Sequence, residues 1–281
     1  MDIDRDFGWN YNDSLINIPH VDNAIIITNP PYLSNYSAKR RKIHDNVQKY
    51  FDKTEYDDIY LLALEKMTKA QDYVVAIVPE TFINSPFPKE RVYSITIIEE
   101  TLFEDTDTPI SIVCFDGKRK SLYDIMVYKN GNFASSLGEL EEKRLKPKNS
   151  KPRNSNIRFN VVGGNVGLRA VDTTNPKRKI EFMQKENLDY DLSGIKHSSR
   201  LITIIDVKLN GVNTNQFLTR CNNILNRYRE ETQDVLLSPF KGNMKNGVRR
   251  RRLDYETARA IMEMVLEGNE TVKYQCRINN Y

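Results

Sequence analysis

The sequence has few cysteines and histidines, little net charge and no long apolar run. Its three cysteines are odd in number and widely spaced: Cys114, Cys221 and Cys276. This pattern excludes a paired disulfide framework and a zinc-binding spacing, and it predicts a reducing, cytoplasmic location. The three histidines do not cluster, so no metal site is predicted. The apolar runs are too short to span a membrane, and the acidic start does not resemble a signal peptide.

The 281 residues suffice for one large domain or two smaller ones, with 39% hydrophobic and 28% charged residues. The formal net charge of +4 is small for this length. Any contact with nucleic acid must therefore come from local basic clusters. Two such clusters stand out: Lys39, Arg40, Arg41 and Lys42, and Arg249, Arg250, Arg251 and Arg252.

The most informative stretch is AIIITNPPY at residues 24–32. Its isoleucine-rich run predicts a buried strand. The strand ends at Pro30 and Pro31, because proline lacks a backbone N–H group and fixes the turn. Asn29 is thereby placed at the carboxyl end of the strand, where open α/β sheets bind their ligands.

Asn29, Pro30, Pro31 and Tyr32 resemble the Asn-Pro-Pro-Tyr signature of N6-adenine DNA methyltransferases of the restriction–modification kind. The resemblance implies methyl transfer from S-adenosylmethionine to an adenine extruded from duplex DNA. The adenine amine is a poor nucleophile because its lone pair is delocalised into the ring. The Asn29 amide oxygen and the Pro30 carbonyl would each accept one N–H bond, which frees that lone pair, and Tyr32 would stack on the base.

Further residues fall in the order of the family's motifs. Asp4 would accept hydrogen bonds from the cofactor ribose, and Asp13 would accept one from the cofactor adenine, with Asn29 as the third cofactor contact. Phe103 would pack on the adenine face opposite Tyr32. The alternatives are that the two aspartates are surface acids and that Phe103 belongs to the core.

The fold class implied is α/β: a Rossmann-like methyltransferase sheet, incomplete at the N-terminus, with a second α+β domain for target recognition. Apolar periodicity predicts a helix over residues 56–70 and strands over 73–79, 95–100 and 110–115. A turn at 105–109 makes the last two strands a hairpin. We expect a catalytic domain at 1–140, a linker at 141–156 and the recognition domain at 157–281.

In the expected recognition domain, the four arginines at 249–252, with Lys241 and Lys245 before them, are candidates to contact DNA. Asp254 is predicted to cap a helix over 255–266. The alternative is that the arginines are a solubilising charge run. The glycines at 163–167 are expected to form a turn, because no helix start follows them as a cofactor loop requires.

The family's first strand and glycine loop have no counterpart in the sequence. We therefore expect a second polypeptide to supply them, with double-stranded DNA as the other partner. Two alternatives remain open. The chain could be a non-catalytic DNA-binding subunit or a remnant of such an enzyme. It could also methylate adenine in RNA or a protein glutamine, since the same motif serves those amines.

Overall fold

The computed structural model describes residues 12–100, 102–103, 107–148, 156–161, 163–188 and 202–268. Asp4, Cys276 and parts of the predicted turn and linker lie outside these residues. The chain divides into two compact units. Unit 1 comprises Met1–Ile98 and Pro109–Gly138, and unit 2 comprises Glu99–Thr108 and Glu139–Tyr281.

Unit 1 is a mixed α/β unit built on one six-stranded sheet. Its elements are β1 (Ile25–Thr28), α1 (Asn35–Arg40), α2 (His44–Phe51), α3 (Ile59–Ala70), β2 (Tyr73–Pro79), β3 (Val92–Ile98), β4 (Ile110–Phe115), β5 (Met126–Lys129) and β6 (Asn132–Ser136). The strand order is β1-β2-β4-β3-β5-β6. Strands β1 and β2 run parallel, as do β3 and β5, and the other neighbours are antiparallel. The predicted α/β class is confirmed at this level.

The core of unit 1 lies between α3 and one face of the sheet. Helix α3 is apolar on most sides and packs against β2. Strand β2 alternates, with Val74, Ala76 and Val78 fully buried. This period of two places every second side chain on the helix-covered face.

The predicted strand limits are met for β2 and β4, and β3 begins three residues earlier than predicted. The expected burial of β1 is wrong, because Ile25 is 56% and Ile27 77% exposed. The physical reason is the place of β1 at the edge of the sheet, with β2 as its one strand neighbour among the described residues.

Unit 2 contains a four-stranded antiparallel sheet, a two-stranded sheet and two long helices. After α4 (Leu137–Lys143), its elements are β7 (Ile157–Phe159), β8 (Val166–Arg169), β9 (Glu181–Gln184), β10 (Ile202–Val207), α5 (Thr214–Glu231), β11 (Ser238–Asn243), β12 (Arg249–Arg252) and α6 (Tyr255–Leu266). The larger sheet has the order β7-β10-β8-β9, and α5 packs against β9 and α6. Helix α6 has the predicted limits, and the Asp254 side chain accepts a hydrogen bond from the Thr257 backbone N–H at 2.8 Å, as predicted.

The boundaries of the two units agree only in part with the expected domains. Unit 1 ends at Gly138, beside the expected limit at 140, but Glu99–Thr108 belongs to unit 2. The strands β3 and β4 pair as expected, yet the segment that joins them is part of the other unit. The first residues of the expected linker are helical, since α4 extends to Lys143.

The glycine stretch in unit 2 forms a turn, as predicted. The Gly164 N–H donates to the Val161 carbonyl at 2.9 Å, and strand β8 follows. A Cβ atom at Gly164 would lie 2.5 Å from the Ile205 carbonyl oxygen, so only glycine fits there. Within the described ranges, no helix combines the length and apolarity needed to cross a bilayer.

Candidate active site

The candidate site begins where β1 ends. Asn29 follows the last residue of the strand and is exposed, whereas Pro30 is buried. The Asn29 side chain makes no hydrogen bond to another residue that the structure describes. Its amide is thus held at the carboxyl end of a parallel strand with both its oxygen and its nitrogen open to a ligand.

Tyr32 is fixed against the neighbouring strand. Its hydroxyl donates to the Ile77 carbonyl on β2 at 2.9 Å, and its ring meets the ring of Tyr60 edge-on, at 6.4 Å and 83°. Burial raises the pKa of Tyr32 to about 12. The phenol is therefore protonated at neutral pH and keeps this hydrogen bond, which sets the orientation of the ring.

The segment after the motif is tied to the start of α3. The Ile59 N–H donates to the Leu33 carbonyl at 3.0 Å, and the Asn35 N–H donates to the Asp57 carbonyl at 2.8 Å. The Ser34 hydroxyl accepts from the Ser37 N–H at 3.1 Å and caps α1. These bonds fix the loop that carries Asn29 and Tyr32 on a rigid element, as a binding site requires.

Asp58 lies beside the loop that follows Tyr32, and the sequence did not mark it as a candidate. It precedes α3 and bridges Ser34, but its side chain does not cap the helix. Burial and the charge of Asp57 raise the pKa of its carboxyl. The two adjacent acidic residues ahead of the helix, Asp57 and Asp58, were the available signal.

The predicted cofactor contacts differ in what surrounds them. The Asp13 carboxylate accepts from the Leu15 N–H at 3.2 Å and from the Tyr50 hydroxyl at 2.7 Å, and the Lys49 ammonium lies 3.5 Å away. These bonds tie Asp13 to α2, which favours a structural role. Asp4 lies outside the described residues, and Asn29 is exposed.

Phe103 lies in unit 2 and is half-exposed. Tyr32 lies in unit 1. The stacking pair of Tyr32 and Phe103 stays a prediction.

The first basic cluster lies at the end of α1 and the turn after it. All four side chains are exposed, and none forms an ion pair with another described residue: Lys39, Arg40, Arg41 and Lys42. The cluster follows Tyr32 closely in the sequence and lies in the same unit. Exposed cations without partners can bind the phosphates of a nucleic acid.

The second basic cluster is different, and the burial of two of its members speaks against the predicted contact with DNA. Arg249 is 2% exposed and Arg251 is 0% exposed, because the period of two in β12 turns both into unit 2. The Arg249 guanidinium donates to the Glu99 carbonyl at 3.0 Å. Arg250 and Arg252 are half-buried, and Arg250 donates to the Asp172 carbonyl at 2.8 Å and lies over the ring of Phe240.

A buried ion-pair network holds β12 in place. Arg229 donates to both carboxylate oxygens of Asp172 at 2.9 Å, and it also pairs with Asp234. Asp172 accepts further bonds from the N–H groups of Ile180 and Arg251, at 2.9 and 3.0 Å. Burial opposes the ionisation of Asp172, but these partners outweigh it and lower the pKa of its carboxyl. The arginine strand is therefore part of the structure of unit 2.

Comparison with known proteins bears on this site. Residues 8–107 match the family model described as Eco57I restriction-modification methylase. The match confirms the resemblance, predicted from the motif, to methyltransferases of restriction–modification systems. It covers the segment from before β1 to beyond β3, including Asn29–Tyr32 and α3. A comparison with curated proteins gives no match.

Proposed function

We propose that the chain transfers a methyl group from S-adenosylmethionine to the N6 amine of adenine in a specific duplex DNA sequence. One observation carries the proposal. Asn29 stands exposed and without a hydrogen-bond partner among the described residues, at the carboxyl end of a parallel strand, within the segment that matches the methylase family. The adenine N6 target and the cofactor are the parts that go beyond the family match.

The proposed chemistry needs two acceptors and no general base. The Asn29 amide oxygen and the Pro30 carbonyl each accept one N–H bond of the adenine amine. This draws the nitrogen toward tetrahedral geometry and releases its lone pair. S-adenosylmethionine supplies an electrophilic methyl group when bound. The nitrogen forms the new N–C bond as the sulfur–methyl bond breaks and its electron pair stays on the sulfur, and the methylated amine then loses a proton to solvent.

The surrounding residues position the substrate. Adenine inside a duplex is inaccessible, so the base must leave the stack. The Tyr32 ring is held by its bond to Ile77 and offers a fixed surface for the extruded base. The exposed cations at 39–42 would bind the backbone beside that base. We propose Phe103 for the opposite face of the adenine.

Of the described residues proposed to contact the cofactor, one is available and one is engaged by another side chain. Asn29 is available to it, while Asp13 is engaged by Tyr50. We propose the Rossmann-like arrangement for the cofactor half of the site because β1 and β2 are parallel and joined through α3. We also propose that Asp4 contacts the cofactor ribose.

Methylation by the Asn29→Ala variant tests this function. The enzyme, assembled with any partner it needs, is incubated with unmethylated plasmid DNA and labelled S-adenosylmethionine. We expect the rate to fall about 100-fold or more, by analogy with the loss of one fixed hydrogen-bonding group at a reacting centre. Asn46→Ala is the matched control, because Asn46 is an exposed asparagine on α2 of the same unit.

The alternatives give distinct results in this test. Methylation that survives Asn29→Ala would refute the role of Asn29. DNA binding without methylation by the native chain and its partner would favour a non-catalytic DNA-binding subunit. Activity on RNA or on a glutamine peptide, with none on DNA, would identify a different amine as the substrate.

A further inference from the structure

The segment after the motif at Asn29–Tyr32 carries an exposed aromatic side chain. Tyr36, the second residue of α1, is 73% exposed. Its hydroxyl makes no hydrogen bond, and its ring no ring contact, with another residue that the structure describes. Tyr32, by contrast, is bonded to Ile77 and meets the ring of Tyr60. An aromatic ring left open in this way is typical of a binding surface, where tyrosine is enriched.

One face of α1 combines this ring with two positive charges. Residues three and four positions apart lie on the same face of a helix, so Tyr36 shares its face with Lys39 and Arg40. Both cations are exposed, and neither forms an ion pair with another described residue. Ala38 lies on the opposite face and is fully buried. The helix thus presents an aromatic ring flanked by two cations to solvent.

The exposed face is held in place by the buried side of the helix. Ala38 packs in a small core with Phe51 and with Ile59, the first residue of α3. The His44 Nε2–H group donates to the Asn35 amide oxygen at 3.0 Å, which ties α1 to α2. A ring on a fixed helix loses little conformational freedom when it binds a ligand, so the arrangement favours binding.

The helix ends with a cation at a position that favours glycine. Lys42 has a φ of 58°, in the left-handed region. The Lys42 N–H donates to the Lys39 carbonyl at 3.2 Å, and the Ile43 N–H donates to the Ala38 carbonyl at 3.1 Å. This pair of bonds is the Schellman helix ending, in which glycine is usual at the left-handed residue. A side chain there costs conformational energy, and such costs concentrate at functional sites, so Lys42 supports a binding role for the cations beside Tyr36.

We propose that Tyr36 inserts into the duplex beside the extruded adenine and stacks on a base that the extrusion leaves without a neighbour. The inference rests on the proposed function, because it requires that a base leave the stack. Extrusion breaks the stacking contacts of the adjacent bases, and an inserted side chain with a flat ring restores one of them. Lys39 and Arg40 contact the phosphates beside the gap.

The spacing along the chain places Tyr36 within reach of that gap. Tyr36 follows Tyr32 by four positions, so their Cα atoms are at most about 14 Å apart. Successive bases of one strand lie about 3.4 Å apart along the duplex axis, so this span corresponds to about four base steps. Tyr32 would thus hold the extruded base, while Tyr36 occupies the gap that the base leaves.

A protein partner fits this face of α1 less well. Protein interfaces are depleted in lysine, whose ammonium group is strongly hydrated and costly to bury. Surfaces that bind nucleic-acid strands instead combine cations for the backbone with aromatic rings for the bases. The three side chains that share the face, Tyr36, Lys39 and Arg40, match the second pattern.

Base extrusion reported by 2-aminopurine tests the proposal, because the fluorescence of this base rises when it leaves the stack. The probe is a duplex that the native enzyme, assembled with any partner it needs, selects from a random pool, with 2-aminopurine replacing each adenine in turn. We expect Tyr36→Ala to weaken duplex binding by about 5- to 150-fold and to remove most of the fluorescence rise. The salt slope of binding should stay unchanged, because tyrosine is uncharged.

Two further variants control for the hydroxyl and for exposure. Tyr36→Phe should keep the native affinity and fluorescence rise, because it keeps the ring. Tyr73→Ala should also behave as native, since Tyr73 is a 57% exposed tyrosine of the same unit that pairs with Ile25, at the end of β1 away from Asn29. The melting temperature of Tyr36→Ala should equal that of the native chain, because the side chain is exposed.

Three results would overturn the inference: native affinity or a native fluorescence rise in Tyr36→Ala, an equal loss in Tyr36→Phe, or an equal loss in Tyr73→Ala. These readouts do not depend on methyl transfer. A native enzyme that extrudes a base through Tyr36 but methylates no adenine would refute the proposed function alone. Adenine methylation by the native enzyme, with unchanged DNA affinity in Tyr36→Ala, would refute the inference alone. A native enzyme that binds no duplex DNA would refute both.

Discussion

Strands β1 and β12 make opposite use of their residues. Strand β1 is isoleucine-rich and open on one side, with Ile27 77% exposed. Strand β12 consists of four arginines, and two of them are buried to 2% and 0% exposure. From residue type alone, the isoleucines of β1 would be expected to be buried and the arginines of β12 to be exposed. The place of a strand in its sheet, and the partners that reach it, therefore decide which side chains are available for binding.

The largest expected effect on stability is at the network that holds β12. Asp172→Asn should lower the free energy of unfolding of unit 2 by about 3–5 kcal/mol, because it removes one partner of a buried ion pair. Asp206→Asn is the control, since its partner Arg158 is 62% exposed and the loss should stay within about 1 kcal/mol. Urea unfolding of both variants measures the difference.

The same network should also make the stability of unit 2 depend on pH. The pKa of Asp172 is lowered in the folded state, so its contribution is present above the unfolded pKa of about 3.9 and is lost as the pH falls through the folded pKa. Acid unfolding should therefore be less steep in Asp172→Asn than in the native chain. Equal steepness would show that Asp172 is not ionised in the fold.

Substitutions of two isoleucines of unit 1 test whether one face of the sheet is open to solvent. Ile95→Ala should cost about 2–5 kcal/mol of unfolding free energy, because Ile95 is fully buried on the covered face. Ile27→Ala should stay within about 0.5 kcal/mol in the chain alone. Thermal unfolding of the two variants measures the contrast. Similar losses would mean that Ile27 is buried in the isolated chain.

The smallest expected effect is on DNA binding, and it distinguishes the roles of the two basic clusters. Arg40→Ala should lower affinity for duplex DNA and reduce the salt slope of binding by about 1, because one phosphate contact is lost. Arg251→Met should destabilise unit 2 and leave the salt slope unchanged, because Arg251 is fully buried. Fluorescence anisotropy at several salt concentrations measures both slopes. The reverse outcome would restore the DNA-contact role predicted for Arg251.

Local sequence patterns predicted the limits of several strands and of one helix. Strands β2 and β4 and helix α6 have the predicted limits, because apolar runs bounded by proline or by a capping aspartate define them within a few residues. The position of Asn29 at the end of a strand was predictable for the same reason.

Features that depend on distant partners were not predictable. The exposure of β1 follows from the strand order, which pairs it with β2 alone among the described residues. The burial of Arg249 and Arg251 depends on Glu99 and Asp172, which are remote in sequence. The bond from Tyr32 to Ile77 spans the β1–α3–β2 crossover. Each of these required the tertiary structure.

The most direct test of the central claim is to identify the methylated nucleoside. DNA treated with the assembled enzyme and S-adenosylmethionine is digested, and its nucleosides are separated by mass spectrometry. We expect N6-methyladenine, and none when Asn29 is replaced by alanine. Methylation of cytosine, or methylated adenine that persists in Asn29→Ala, would contradict it.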